Sequence, residues 1–267
     1  MPSLRDYMDA TGRVAAITGA CGHLGRVFAE TLAELGMNLA IIDIDGKVCC
    51  EFASQLAQKY GCKAVGMPCD LSNDEQLLSL SGRIKNSFGG LDVLVNNAAF
   101  VGTSSLQGWG VKFEKQLTST WRRALDLNLT APFTLVRECL PMLKAHGKGS
   151  IINIGSIYGV LGPDWGLYEG TEMGNPAAYA ASKGGLIQLT RWLATTCAPD
   201  VRVNSICPGG IFRNQNENFL KRYNAKTPMG RMATEEDFRG IIAYFATDMS
   251  KYVTGQNITI DGGFSAW

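Results

Sequence analysis

Tyr179 and Lys183 stand four residues apart in Tyr-Ala-Ala-Ser-Lys, so on a helix they share one face and bring an ammonium close to a phenol. That pairing has a chemical use. A phenol of ordinary pKa, about 10, is a poor base at neutral pH, and a neighbouring cation stabilises its phenolate and moves it toward the working range. A single Tyr-x-x-x-Lys is common and by itself describes a solvated helix face. Here it comes with Asn96-Asn97-Ala98-Ala99 and with Asn128 in Leu-Asn-Leu, and Ser156 closes Asn-Ile-Gly-Ser after a strand-like run. The set is far more specific than the pair.

A second chemistry precedes it in the chain. Thr18-Gly19-Ala20-Cys21-Gly22-His23-Leu24-Gly25 follows an apolar strand directly and opens a helical segment, the context a dinucleotide-binding turn requires. Gly19, Gly22 and Gly25 let the backbone approach a pyrophosphate, and the helix start offers it unpaired amides. Asp43 closes the next strand, eighteen residues after Gly25, where a carboxylate can accept hydrogen bonds from the adenosine ribose hydroxyls. The same charge repels a 2′-phosphate, and neither Ile44 nor a neighbouring Arg offsets it. NAD is the expected cofactor.

Both chemistries need a scaffold. Short β-rich runs at 14–17, 38–42, 64–67, 93–95, 150–154, 201–206 and 257–260 alternate with segments of helical spacing, among them Phe28-Leu32-Leu35, Leu77-Leu80-Ile84-Phe88 and Leu186-Leu189-Leu193. This alternation predicts one α/β domain over residues 1–267, a Rossmann-type doubly wound fold with a seven-stranded parallel sheet and helices on both faces. The helical stripes are read as core.

Composition narrows the partners. In 267 residues, 46% are hydrophobic and 18% charged, enough apolar mass for one sizeable core. The formal net charge of +1 gives no field to gather nucleic acid or an anionic membrane. No apolar run near Met1 is long enough for a signal peptide or span, and the eight cysteines form no CxxC pair, so reduced thiols in a cytoplasmic protein are expected. With only His23 and His146 as imidazoles, no metal site is expected.

The sequence resembles the short-chain dehydrogenase/reductase family from about Gly12 to Gly263, through Thr18-Gly19 to Gly25, Asp70-Leu71, Asn96-Asn97-Ala98, Asn128, Ser156, Tyr179 with Lys183, Pro208-Gly209, Thr254-Gly255 and Asp261-Gly262-Gly263. The resemblance implies an oxidoreductase that moves a hydride between nicotinamide and a secondary alcohol or ketone. It makes Tyr179 the acid/base, Ser156 the group that orients the substrate oxygen, and Lys183 the ligand of the nicotinamide ribose. It gives Asn128 a proton-relay water and sets Asp70 and Leu71 beside the adenine. Asn97, Ala98, Ala99, Pro208, Gly209, Gly210 and Ile211 complete the implied cofactor wall. Also implied is a homodimer or homotetramer built on helices around 118–145 and 177–197. Three positions depart from the pattern. His23 stands where a glycine is usual, Ala99 replaces another glycine, and Arg213 occupies the place of a threonine, where Arg213 or Asn214 is expected to serve cofactor or substrate.

Ser156 and Tyr179 lie twenty-three residues apart, more than the family commonly has. The extra residues, near 161–174, mix carboxylates with aromatics, and Asp164, Trp165 and Tyr168 suit a hydroxylated ring, with Arg213 at its edge. With the loops at 208–212 and 228–232 the segment also resembles a subgroup associated with flagellin and surface-polysaccharide modification, which implies a sugar-derived substrate. Two other readings stay open. A ketoreductase of acyl or other apolar ketones would want an apolar pocket in place of Asp164 and Glu169. A catalytically silent dinucleotide-binding regulator would have no use for an intact Asn128, Ser156, Tyr179 and Lys183.

Overall fold

Seven strands, each four to eight residues long, carry the molecule in a computed structural model that describes residues 1–102 and 104–267. They are β1 (Val14–Thr18), β2 (Asn38–Asp43), β3 (Ala64–Pro68), β4 (Val93–Asn96), β5 (Gly149–Ile154), β6 (Val201–Pro208) and β7 (Asn257–Ile260). All pairings are parallel, in the order β3-β2-β1-β4-β5-β6-β7. The seven runs read from the sequence are these seven strands, each within two residues at either end. The central β1, β4 and β5 are buried along their whole length, as a parallel sheet covered on both faces requires.

Among the described residues nine α-helices connect or flank the strands: α1 (Leu4–Met8), α2 (His23–Glu34), α3 (Gly46–Tyr60), α4 (Asp74–Phe88), α5 (Thr118–Leu125), α6 (Ala131–Lys144), α7 (Ala177–Cys197), α8 (Glu217–Lys226) and α9 (Arg239–Ala246). The period of two along each strand divides the core. Ala15, Ile17, Leu39 and Ile41 face one way and meet Phe28 and Leu32 of α2, Phe52 and Leu56 of α3, and Ile242 and Phe245 of α9. Val14, Ala16, Ala40 and Ile42 face the other way and meet Leu80 of α4, Leu135 and Cys139 of α6, and Leu193 of α7. Asp45 caps α3 through the amides of Lys47 and Val48, and Asn73 caps α4 through that of Gln76.

The strand order reverses between β1 and β4. At such a point the connections after neighbouring strands leave to opposite faces and open a crevice at the carboxyl ends. Asn97, just past β4, closes the crevice floor: its Nδ2 donates to the carbonyls of Thr18 (2.9 Å) and Gly19 (3.0 Å), and its backbone N–H donates to Thr18 Oγ1 (3.0 Å). All eight cysteines are free thiols. Among the described residues no helix is long and apolar enough to cross a membrane.

Candidate active site

The turn between β1 and α2 is packed as tightly as backbone allows. Gly19 has φ +61°, a region side chains avoid, and a Cβ on Gly25 would stand 2.1 Å from the Gly19 carbonyl oxygen. Gly22 occupies the N-cap of α2 and supplies no side-chain cap, so the first amides of the helix stay open toward the crevice. Gly19, Gly22, Leu24 and Gly25 line a single cavity of ≈ 1280 Å³ that runs from this turn to Ser156 and Tyr179. A helix N-terminus without its own cap, facing a long crevice, fits a pyrophosphate.

The other residues expected beside a cofactor, Asp43, Ile44, Asp70, Leu71, Asn97, Ala98, Ala99, Pro208, Gly209, Gly210 and Ile211, all line the same cavity. Asp43 does more than face it. Its Oδ2 accepts the Cys21 amide (2.9 Å) and its Oδ1 accepts the Ile44 amide (2.8 Å), so the carboxylate also ties β2 to the turn. Two carboxylate oxygens offer about four acceptor sites, and two remain for hydroxyls. The Ser72 hydroxyl and amide donate to Asp70 and hold its carboxyl below the usual carboxylate range.

Two of the departures from the family pattern, Arg213 and His23, meet on one residue. Arg213 Nη1 lies 2.7 Å from Glu235 Oε1, and the His23 imidazole, largely exposed, lies 3.7 Å from the same oxygen. Glu235 joins the turn after β1 to the loop after β6 across the cavity mouth, a link invisible in sequence.

At the opposite end stands the acid–base group. Lys183 on α7 is buried, its Nζ donates to the Ile154 carbonyl (2.6 Å), and the same nitrogen lies 5.9 Å from the Tyr179 ring centre. Burial pushes the amine down to about 8. Burial raises the Tyr179 phenol, while the Ser156 hydroxyl facing it works the other way. Ser156, Tyr179 and Lys183 all line the cavity.

Asn128 stands apart from them. It lies in a π-helical turn, Asp126–Thr130, and is fully buried behind the wall. Its Oδ1 accepts the Phe100 amide (2.8 Å), and its Nδ2 donates to the Phe100 carbonyl (3.1 Å) and to Ser182 Oγ (3.0 Å), which in turn donates to the Tyr179 carbonyl (2.9 Å). The Asn128 carboxamide is thus bound to backbone and to Ser182. Pro132, four residues on, has no N–H, so the Asn128 carbonyl lacks the usual α-helical donor.

The segment 161–174 divides the expected substrate residues. Tyr168 lines the cavity, but Asp164 and Trp165 do not. Asp164 caps a short 3₁₀ turn through the Gly166 amide (3.0 Å) and pairs with Lys226 of α8, uses that compete with any ligand. Trp165 is 59% exposed and tilts onto the Tyr168 ring. In their place the cavity has Tyr158, Glu172, Asn175 and Phe219, together with Arg213. Of these, Arg213 was expected from the sequence and Tyr158 was missed, although it stands two residues beyond Ser156. Among the described residues there is no cluster of three side chains suited to a metal ion.

A doubly wound sheet with an open helix N-terminus at its switch point and a Ser, Tyr and Lys at the other end of one crevice defines a dinucleotide-dependent oxidoreductase. Residues 19–265 match the family model described as enoyl-(acyl carrier protein) reductase, and the chain belongs to this family of short-chain dehydrogenases/reductases, enzymes that act on alcohol and ketone groups. It is 34% identical to trans-4-hydroxycyclohexanecarboxylate dehydrogenase of Sinomonas cyclohexanicum, over 95% of this chain and 93% of that one. It is 32% identical to the rhamnolipids biosynthesis 3-oxoacyl-(acyl-carrier-protein) reductase of Pseudomonas aeruginosa, over 98% and 99%. A crystal structure of a short-chain type dehydrogenase/reductase from Mycobacterium marinum superposes with a TM-score of 0.86 at 28% identity, covering all of both chains.

Proposed function

We propose that the protein is an NAD-dependent dehydrogenase/reductase that interconverts a secondary alcohol and its ketone in a compact, hydroxylated, sugar-like substrate. The observation that carries the reading is the single cavity joining the open start of α2 to Ser156, Tyr179 and Lys183. A bound nicotinamide supplies the carbon that takes or gives the hydride. Tyr179 takes the alcohol proton in oxidation and returns it in reduction. Ser156 donates to the same substrate oxygen, Lys183 holds the phenol's charge and reaches the nicotinamide ribose, and the Asn128 carbonyl holds the water through which the proton leaves. The narrower resemblance to flagellin and polysaccharide-modifying enzymes contributes only the hydroxylated ring. A ketoreductase of acyl substrates is the second reading, favoured by Met173, Phe219 and Met232 in the cavity wall and by the likeness to the rhamnolipid enzyme.

The cofactor choice rests on Asp43. NAD(H) is expected to bind at least about tenfold more tightly than NADP(H), a difference of about 1.4 kcal/mol, by calorimetric titration of both. Equal affinity, or a preference for NADP, would overturn the assignment. Turnover of matched polyols and acyl thioesters with the favoured cofactor then separates the two substrate readings.

The assembly is proposed to be a dimer or tetramer. Trp121 on α5, Phe133 on α6 and Trp192 on α7 are exposed on the helices expected to pair, and apolar faces of this kind are covered in oligomers. Light scattering at micromolar concentration should show a multiple of 28.8 kDa; a monomer alone would refute the pairing.

A further inference from the structure

Beside the proposed acid–base pair, one stretch of the cavity wall is aromatic and carries two hydroxyls in contact. Tyr158 Oη and Tyr168 Oη lie 2.7 Å apart, and either can be the donor. One proton serves that bond, so the pair keeps a second O–H and unused lone pairs to offer a ligand. Asn175, itself buried, sets its amide against both phenols. Burial raises both phenols above their ordinary range, so they stay neutral donors wherever the enzyme works. Tyr158 and Tyr168 line the same cavity as Ser156 and Tyr179.

The wall that holds Tyr168 is braced. Its ring packs on Phe219 of α8 (centres 5.3 Å apart), and the segment is tied to that helix by the Asp164–Lys226 pair and by Arg222 donating to the Glu169 carbonyl. A hydroxyl fixed in this way discriminates better than one on a free loop.

Charge decides what the pair can read. Among the described residues lining the cavity, Arg213 pairs with Glu235, Lys183 donates to the Ile154 carbonyl and Arg123 lies over the Phe100 ring, and no ion pair or hydrogen bond joins any of them to Tyr158 or Tyr168. Glu172 adds a negative charge to the same wall. Among the described residues, the partners of the two tyrosine side chains are each other and the rings of Trp165 and Phe219, so a carboxylate seated against them would meet no cation in direct contact with the pair.

We propose that the Tyr158–Tyr168 hydroxyl pair, with Asn175, binds a second, neutral hydroxyl of the substrate away from the reacting carbon and discriminates against a carboxylate at that position. The proposal rests on the alcohol/ketone reading above. It separates this chain from the relative named for a hydroxycyclohexanecarboxylate.

Three compounds sharing one ring test it: cyclohexanol, cyclohexane-1,4-diol and 4-hydroxycyclohexanecarboxylate. Two readouts are taken, kcat/KM with NAD and calorimetric binding to the enzyme–NADH complex. The diol is expected to exceed cyclohexanol by about tenfold in both and to exceed the carboxylate by more, because a site built around a hydroxyl penalises ligands that leave its donors unpaired or bring an unpaired charge. Tyr168→Phe keeps the ring packing and should collapse the diol-to-cyclohexanol ratio toward one; Tyr158→Phe should do the same. A preference for the carboxylate, or an undiminished ratio in both variants, would overturn the proposal. Tight binding of the diol with no oxidation would overturn the alcohol/ketone reading and leave the hydroxyl pair standing. Equal oxidation of all three compounds would do the reverse.

Discussion

Tyr179→Phe is expected to lower kcat by about 100-fold or more while changing cofactor affinity little, because phenylalanine keeps the buried ring and loses the group that exchanges the substrate proton. The ligand-free site shows why the loss cannot be absorbed elsewhere. Among the described residues lining this end of the cavity, burial raises the Tyr158 and Tyr168 phenols, which makes them poor bases, and Lys183 is turned to the Ile154 carbonyl. The Ser156 hydroxyl can orient an oxygen but, too weak an acid to ionise at neutral pH, cannot serve as the base. Steady-state rates and NAD titrations on the variant, with Ser156→Ala beside it, make the distinction. Ser156→Ala should keep residual turnover that still depends on Tyr179, whereas near-parental kcat in Tyr179→Phe would sink the mechanism.

The scaffold was legible because its signals are local. Parallel strands buried on both faces need near-continuous apolar runs, and Val14-Ala15-Ala16-Ile17 or Ser150 to Ile154 can hardly be anything else between helical segments. Boundaries ran longer where backbone pairing continued past the apolar run, as at Pro208, which pairs with Ile260. The turn and Asp43 were legible too, since a glycine turn and a carboxylate at consecutive strand ends are set by chain distance alone.

Contacts between distant segments were not legible. Aromatic and acidic composition singled out Asp164 and Trp165, but an Asp two residues before a glycine amide also makes a turn, and a lysine on α8 completes its charge. Sequence cannot weigh those uses against a ligand. The commitment of the Asn128 carboxamide to Phe100 and Ser182 depends on how α5, the π-helical turn and α7 pack, and the meeting of His23 and Arg213 on Glu235 depends on two loops from opposite ends of the chain. The Tyr158–Tyr168 contact belongs to the same class.

Lys183→Met is the second large effect, and its pH dependence has a definite sign. In the parent, burial pushes the amine down to about 8, so the ammonium that steadies the Tyr179 phenolate is present below that pH and fades above it in the ligand-free enzyme. Removing it should lower kcat by about 100-fold at neutral pH, and the surviving activity should need a higher pH, because the phenol, already raised by burial, loses its nearest cation. Cofactor affinity should fall by about tenfold or more, the loss expected when a charged hydrogen bond to a ribose hydroxyl disappears. Stability moves oppositely. A lysine whose folded pKa lies below its unfolded value destabilises the fold while charged, and that cost is relieved as pH rises from about 8 to the ordinary lysine value of 10.5. Methionine carries no such charge, so the Tm of the variant relative to the parent should be highest near neutral pH and fall through that window, even though the Ile154 carbonyl has lost its donor. Thermal melts from pH 6.5 to pH 10.5 with parallel rate profiles on both proteins test the two halves together. A variant with the parent's pH–rate profile and cofactor affinity would show that Lys183 is core packing with a charge, and no part of the site.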